Sequence, residues 1–134
     1  MWTPDPSDII TAEQKAEAET RGMKDAVNAE RTRRITTGKV IDGVHVTGTD
    51  EDARNLTSLA MGAQLRLGMG DMTTLTTYRD GDNVDHQLTP SQIVAIWQAS
   101  AGYVSALYTA SWSLKAMTPI PADFADDGYW PATS

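Results

Sequence analysis

Residues 73–92, TTLTTYRDGDNVDHQLTPSQ, decide the fold. Thr73 to Tyr78 is rich in β-branched residues, which suit a pleated, half-buried strand. Asp80-Gly81-Asp82-Asn83 then supplies the residue types that turn a chain back on itself. Val84, His86 and Leu88 alternate with Asp85 and Gln87, the period-two pattern of a strand covered on one face. Thr89-Pro90-Ser91-Gln92 closes the stretch with an N-cap, a proline at the first helical position and a glutamine three residues after the cap. The stretch predicts a β-hairpin that runs directly into a helix.

The same unit stands earlier in the chain, where Lys39-Val40-Ile41 and Val44-His45-Val46 flank Asp42-Gly43. A helix starting near Thr49 or Asp50 follows, with Leu56, Ala60, Ala63 and Leu67 on one stripe and a stop at Gly68 or Gly70. The helix after Thr89 extends to about Met117. Its main stripe is Ile93, Trp97, Ser100, Val104, Leu107, Ser111 and Leu114, spaced alternately four and three as in a coiled-coil seam. A second stripe, Val94, Ala101, Tyr108 and Trp112, lies on another side. A helix with two apolar sides is either sandwiched inside one domain or packs its own sheet and also meets a partner. On the second reading Ile93, Trp97, Val104, Leu107, Tyr108 and Trp112 form an oligomer interface.

Upstream, Thr11 and Gln14 form a capping box that opens a helix reaching about Ile35. Its apolar positions are few and mostly small (Ala12, Ala16, Met23, Ala26 and Val27), so it is a solvated strut or one strand of an oligomeric bundle. Pro4, Pro6, Pro119, Pro121 and Pro131 frame the two ends and predict extended arms. The expected organisation is an N-terminal arm over 1–10, a helix over 11–36, an α+β domain over 37–117 and an aromatic C-terminal arm over 118–134. The fold class is α+β: two short hairpins in a small antiparallel sheet, two amphipathic helices against it and a long helix before it. Trp2, Ile9, Ile10, Phe124, Tyr129 and Trp130 sit in the arms and are expected to dock onto neighbouring proteins, with folding back onto the domain as the alternative.

The 134 residues suit one compact domain. The formal charge of −7 sets electrostatics against binding a phosphate backbone. The basic cluster Arg31, Arg33 and Arg34 falls at a helix end, where cations are favourable in any case. No apolar run reaches membrane-spanning length, and Met1-Trp2-Thr3-Pro4 lacks the pattern of a signal peptide. The expectation is a soluble, unprocessed protein that neither inserts into membranes nor binds nucleic acid.

Reactive motifs are few. The two histidines, His45 and His86, both fall in hairpin strands and read as structural. Asp80-Gly81-Asp82-Asn83-Val84-Asp85 alternates oxygen ligands but lacks the length, the late glutamate and the glycine position of a calcium loop. Gly68-Met69-Gly70 precedes a strand and so builds no phosphate cradle at a helix start. Asp50, Glu51 and Asp52 lie where negative charge stabilises a helix N-terminus. With no cysteine and no Gly-x-Ser-x-Gly element, no enzyme, metal or cofactor is expected.

From about Asn28 to Met117 the chain resembles a domain of unknown function found in phage and prophage proteins, often in tail-fibre or tail-associated chains. The residues carrying the resemblance are Ala29 to Ile35 with Gly38, Ile41-Asp42-Gly43-Val44, and Asp50 to Asn55. In the second unit they are Asp82-Asn83, His86-Gln87-Leu88-Thr89, Ile93, and Tyr103-Val104 to Leu114-Lys115. The resemblance implies a virion protein of the phage tail, a tail-tip or tail-fibre component that is trimeric and docks to other tail proteins through its arms. It transfers no catalytic residue. An assembly chaperone absent from the mature particle and a host-surface glycan-binding module are the alternatives.

Overall fold

The computed structural model describes residues 11–133, so the expected docking residues Trp2, Ile9 and Ile10 lie outside the described residues. The elements are α1 (Ala12–Thr37), β1 (Lys39–Ile41), β2 (Val44–Val46), α2 (Asp50–Gly68), β3 (Thr76–Arg79), β4 (Asp85–Leu88) and α3 (Pro90–Lys115). A single 3-10 turn at Asp127–Tyr129 follows. The architecture is α+β.

Local chemistry sets the boundaries. Thr11 with Gln14 and Thr89 with Gln92 both close complete capping boxes, and the Thr49 hydroxyl accepts the Asp52 N–H at the start of α2. The chain leaves α1 through Gly38 at φ 76°, where a β-carbon would collide with the Val46 carbonyl. Between β1 and β2, Asp42 and Gly43 both have positive φ, as a two-residue hairpin loop of the mirror-image type requires.

The two hairpins remain separate two-stranded sheets. In the first, Val40 pairs with His45, which turns the backbone polar groups of both residues away from each other. Other segments then take those edges. Gly81, in the loop of the second hairpin, donates its N–H to the His45 carbonyl at 2.9 Å, and Val40 donates to the Thr133 carbonyl at 3.2 Å. No strand is needed to satisfy them, and so the sheets do not merge. The second hairpin pairs Arg79 with Asp85, which leaves residues 80–84 as the loop. Val84 therefore stands exposed in that loop, and only His86 and Leu88 of the predicted alternation turn inward.

The spine is α3. Its first half contributes Ile93 and Ile96 to a core with Ile41, Val44, Val46, Leu56, Tyr78 and Leu88. Its second half contributes Tyr103, Leu107 and Leu114 to another with Val27, Ile120 and Trp130. Ile93 and Leu107 are wholly buried. They are therefore core residues of the chain itself and unavailable to an oligomer interface, because the buried face of α3, which adds Ile96 and Tyr103 from outside both expected stripes, is what α1, α2 and the hairpins pack against. The first half of α1, residues 11–22, is exposed throughout, as a strut and a bundle strand would both be in a single chain. Val27 and Arg34 anchor the second half.

The segment after α3 folds back instead of reaching outward as an arm. Trp130 is buried, and Phe124 and Tyr129 are half-buried against the second core. The Trp130 indole N–H donates to the Phe124 carbonyl at 2.7 Å, and its ring faces the Arg34 guanidinium at 5.1 Å. Arg34 is itself buried, and it donates to Glu30 at 2.9 Å, to the Ala125 carbonyl at 2.9 Å and to Asp127 at 2.9 Å. Without the returning segment this cation would lose most of its partners, which is costly for a buried charge. Trp130→Ala should lower the unfolding free energy by about 3–5 kcal/mol in a urea titration. A midpoint equal to that of the unsubstituted protein would show that the segment is not part of the core.

Candidate docking surface

The flank of α3 beside the two cores carries the remaining predicted interface residues, with Trp97 packed against the first core. Trp97 and Val104 are half-buried, Tyr108 is at the edge of exposure, and Trp112 is 58% exposed. Trp97 is fixed by its indole N–H, which donates to the Thr57 hydroxyl of α2 at 3.2 Å. Between α3 and the start of α2 lies an open groove of about 370 Å³, lined by Gly48, Ala53, Leu56, Trp97, Ala101 and Val104. Its lining sets the small residues Gly48, Ala53 and Ala101 beside the larger Leu56, Trp97 and Val104. Gly48 lets the backbone approach α3 so closely that a β-carbon would meet the Val104 methyl at 2.6 Å.

Further along α3, the Tyr108 and Trp112 rings lie 5.9 Å apart and tilted by 52°. Arg31 from α1 stacks on Tyr108 with 4.3 Å from its guanidinium carbon to the ring centre. The same guanidinium donates to Ser111 at 2.9 Å and to Asn28 at 3.2 Å, and Lys115 also donates to Asn28 at 2.9 Å. Tyr108 is thus held in place by Arg31, and Trp112 lies against its ring while facing solvent. A pre-oriented aromatic residue is a low-entropy anchor for a partner. Arg31 and Arg34, read in the sequence as helix-end cations, are engaged within the chain.

The titratable residues converge elsewhere, at Asp80. Its side chain is 3% exposed and accepts from the N–H groups of Asp82 (2.8 Å), Val84 (3.0 Å) and His45 (3.4 Å), and from His86 Nε2 at 2.7 Å. Burial opposes ionisation, but His86 and these N–H groups hold the Asp80 carboxyl well below the ordinary carboxylate range. Four donors occupy the lone-pair sites of a carboxylate, so Asp80 organises the loop and has little capacity left for a substrate. His45 lies with Nε2 at 2.6 Å from the Thr37 carbonyl and Nδ1 at 3.1 Å from Asp82. Both ring nitrogens face acceptors. The Thr37 carbonyl raises the His45 pKa, burial opposes that rise, and the Asp82 carboxylate adds to it. A β-carbon on Gly81 would come within 2.7 Å of this ring. The aspartates, read in the sequence as turn formers, also lock one hairpin onto the other.

The sequence reading missed the Asp80 centre, because its partners come from two hairpins and a loop. It also missed the outward face of α2, where Met61 and Leu65 are exposed. Their four-residue spacing was the available signal.

These contacts fix a pH profile. The contribution of Asp80 is present above the ordinary carboxylate value of about 4 and is lost as pH falls and the carboxyl takes up a proton. The contribution of His45 is present below the ordinary imidazole value of about 6.5 and is lost as pH rises through its elevated value. Stability should therefore be greatest between about pH 4 and 6.5. In chemical denaturation across pH, His45→Gln should flatten the decline on the alkaline side, and Asp80→Asn should weaken the acid limb while lowering stability throughout. A His45→Gln profile parallel to that of the parent above pH 6.5 would contradict the assignment.

The model of a family described as a domain of unknown function (DUF4376) matches residues 13–128. The match extends beyond both ends of the 28–117 stretch, taking in most of α1 and the returning C-terminal segment to Gly128. No curated protein and no solved structure matches the chain. With nearly all of its described elements inside that match, the chain belongs to the DUF4376 family.

Proposed function

We propose that this chain is a structural, non-enzymatic component of a phage or phage-like tail that docks onto a neighbouring tail protein through the outer side of α3. The observation that carries the docking reading is Trp112, 58% exposed, with its ring 5.9 Å from that of Tyr108, which Arg31 holds against α1. Tail membership is inferred from the resemblance carried by the turn and cap residues. Docking through the arms now concerns residues 1–10 only, since Phe124, Tyr129 and Trp130 pack against the second core. Three-fold association through the α3 seam would have to proceed without Ile93 and Leu107, whereas the Tyr108 and Trp112 side is open to a neighbour.

The test is made in particles purified from the host that encodes the chain, with the chromosomal copy replaced by Tyr108→Ala/Trp112→Ala. Mass spectrometry should find the parent chain in mature tails at a fixed stoichiometry. The variant should keep its far-UV circular dichroism but incorporate at least about tenfold less, as expected when an aromatic anchor worth about 1.4 kcal/mol or more is removed. A parent chain needed for assembly yet absent from finished particles would assign it to the assembly chaperones instead. Normal incorporation of the variant would remove α3 as the docking side.

A further inference from the structure

The core side of α2 is Leu56, Ala60 and Ala63. At 100° per residue, Met61, Leu65 and Met69 fall on the opposite side of the helix, and they are 62%, 71% and 80% exposed. Met72 and Leu75 follow in the connection to β3, at 62% and 55%. Together the five expose on the order of 600 Å² of side chain, the upper end of what a monomer normally leaves uncovered. Burying this on two copies removes about 1,200 Å², the lower edge of a specific, stable interface.

We propose that α2 pairs with α2 of a second copy of this chain, antiparallel and about a two-fold axis that passes between Met61 and Leu65. The inference is independent of the tail reading. A two-fold interface uses one self-complementary patch on both subunits, and an unbranched Met stripe interdigitates readily with itself. Charge selects the direction. Asp50, Glu51 and Asp52 all lie in the first turn of α2, so parallel pairing would set like charges against each other. Antiparallel pairing separates them and sets Arg54 opposite Asp71 of the other copy. Arg54 lies two turns before Met61 on the same outer stripe and forms no ion pair among the described residues. Asp71 stands just beyond the other end of the helix, where it accepts the N–H groups of Thr73 and Thr74 at 3.1 Å.

Sedimentation equilibrium of the full chain should give twice the 14.5 kDa chain mass at micromolar concentration. Leu65→Lys, introduced twice in every dimer, should raise the dissociation constant at least about 100-fold. Its circular dichroism should be unchanged, because Leu65 has no place in the core. The natural chain has no cysteine, so engineered thiols report geometry directly. Ser58→Cys/Met69→Cys should cross-link between copies on mild oxidation, whereas Met69→Cys alone should not, since its two copies would be about 18 Å apart along the axis. A monomer at millimolar concentration, a trimer, a dimer indifferent to Leu65→Lys, or ready cross-linking of Met69→Cys alone would each overturn the proposal.

Discussion

Everything in this fold depends on α3 being buried along two successive halves by different partners. Ile93 and Ile96 close the core shared with α2 and the hairpins, while Tyr103, Leu107 and Leu114 close the core shared with α1 and the returning C-terminal segment. Neither cluster is a domain by itself, since each needs the same rigid helix as one wall. The family match takes in α1 and the C-terminal segment as far as Gly128 as well as the hairpin units.

Polar contacts decide the arrangement that apolar burial alone leaves open. Asp80 draws backbone and imidazole donors from both hairpins to one carboxylate, so the hairpins dock edge to loop without a common sheet. Arg34 does the same at the other end, holding Glu30 of its own helix, Ala125, Asp127 and the Trp130 ring. Buried groups of this kind are expensive unless fully satisfied, so they tolerate few alternative packings. The Tyr108 flank of α3 is built on the same plan, with Arg31 tying Tyr108 and Ser111 to α1.

What was legible in the sequence is what short-range chemistry controls. The capping boxes at Thr11 and Thr89, the N-cap at Thr49, the Asp42-Gly43 turn and the core stripe of α2, apart from the half-buried Leu67 at its end, all form as their neighbours dictate. Periodicity also showed that α3 is apolar on two sides, but no periodicity states which side its own chain will cover. Ile93 and Leu107 went to the core and Trp112 to the surface for that reason. Trp130 looked like an outward anchor because the cation that receives it, Arg34, is almost a hundred residues away. The hydrogen bonds to Asp80 were hidden likewise, since a residue suited to a turn carries no mark of its distant donors.

The most direct test of α3 as a shared spine is native-state hydrogen exchange along the helix. If both cores rest on it, the amides from Ile96 to Leu114 should exchange through one global opening, with the same free energy and the same denaturant dependence in both halves. A second half that exchanges through its own lower-energy opening, while the first stays protected, would contradict the account and show two cores that fold separately.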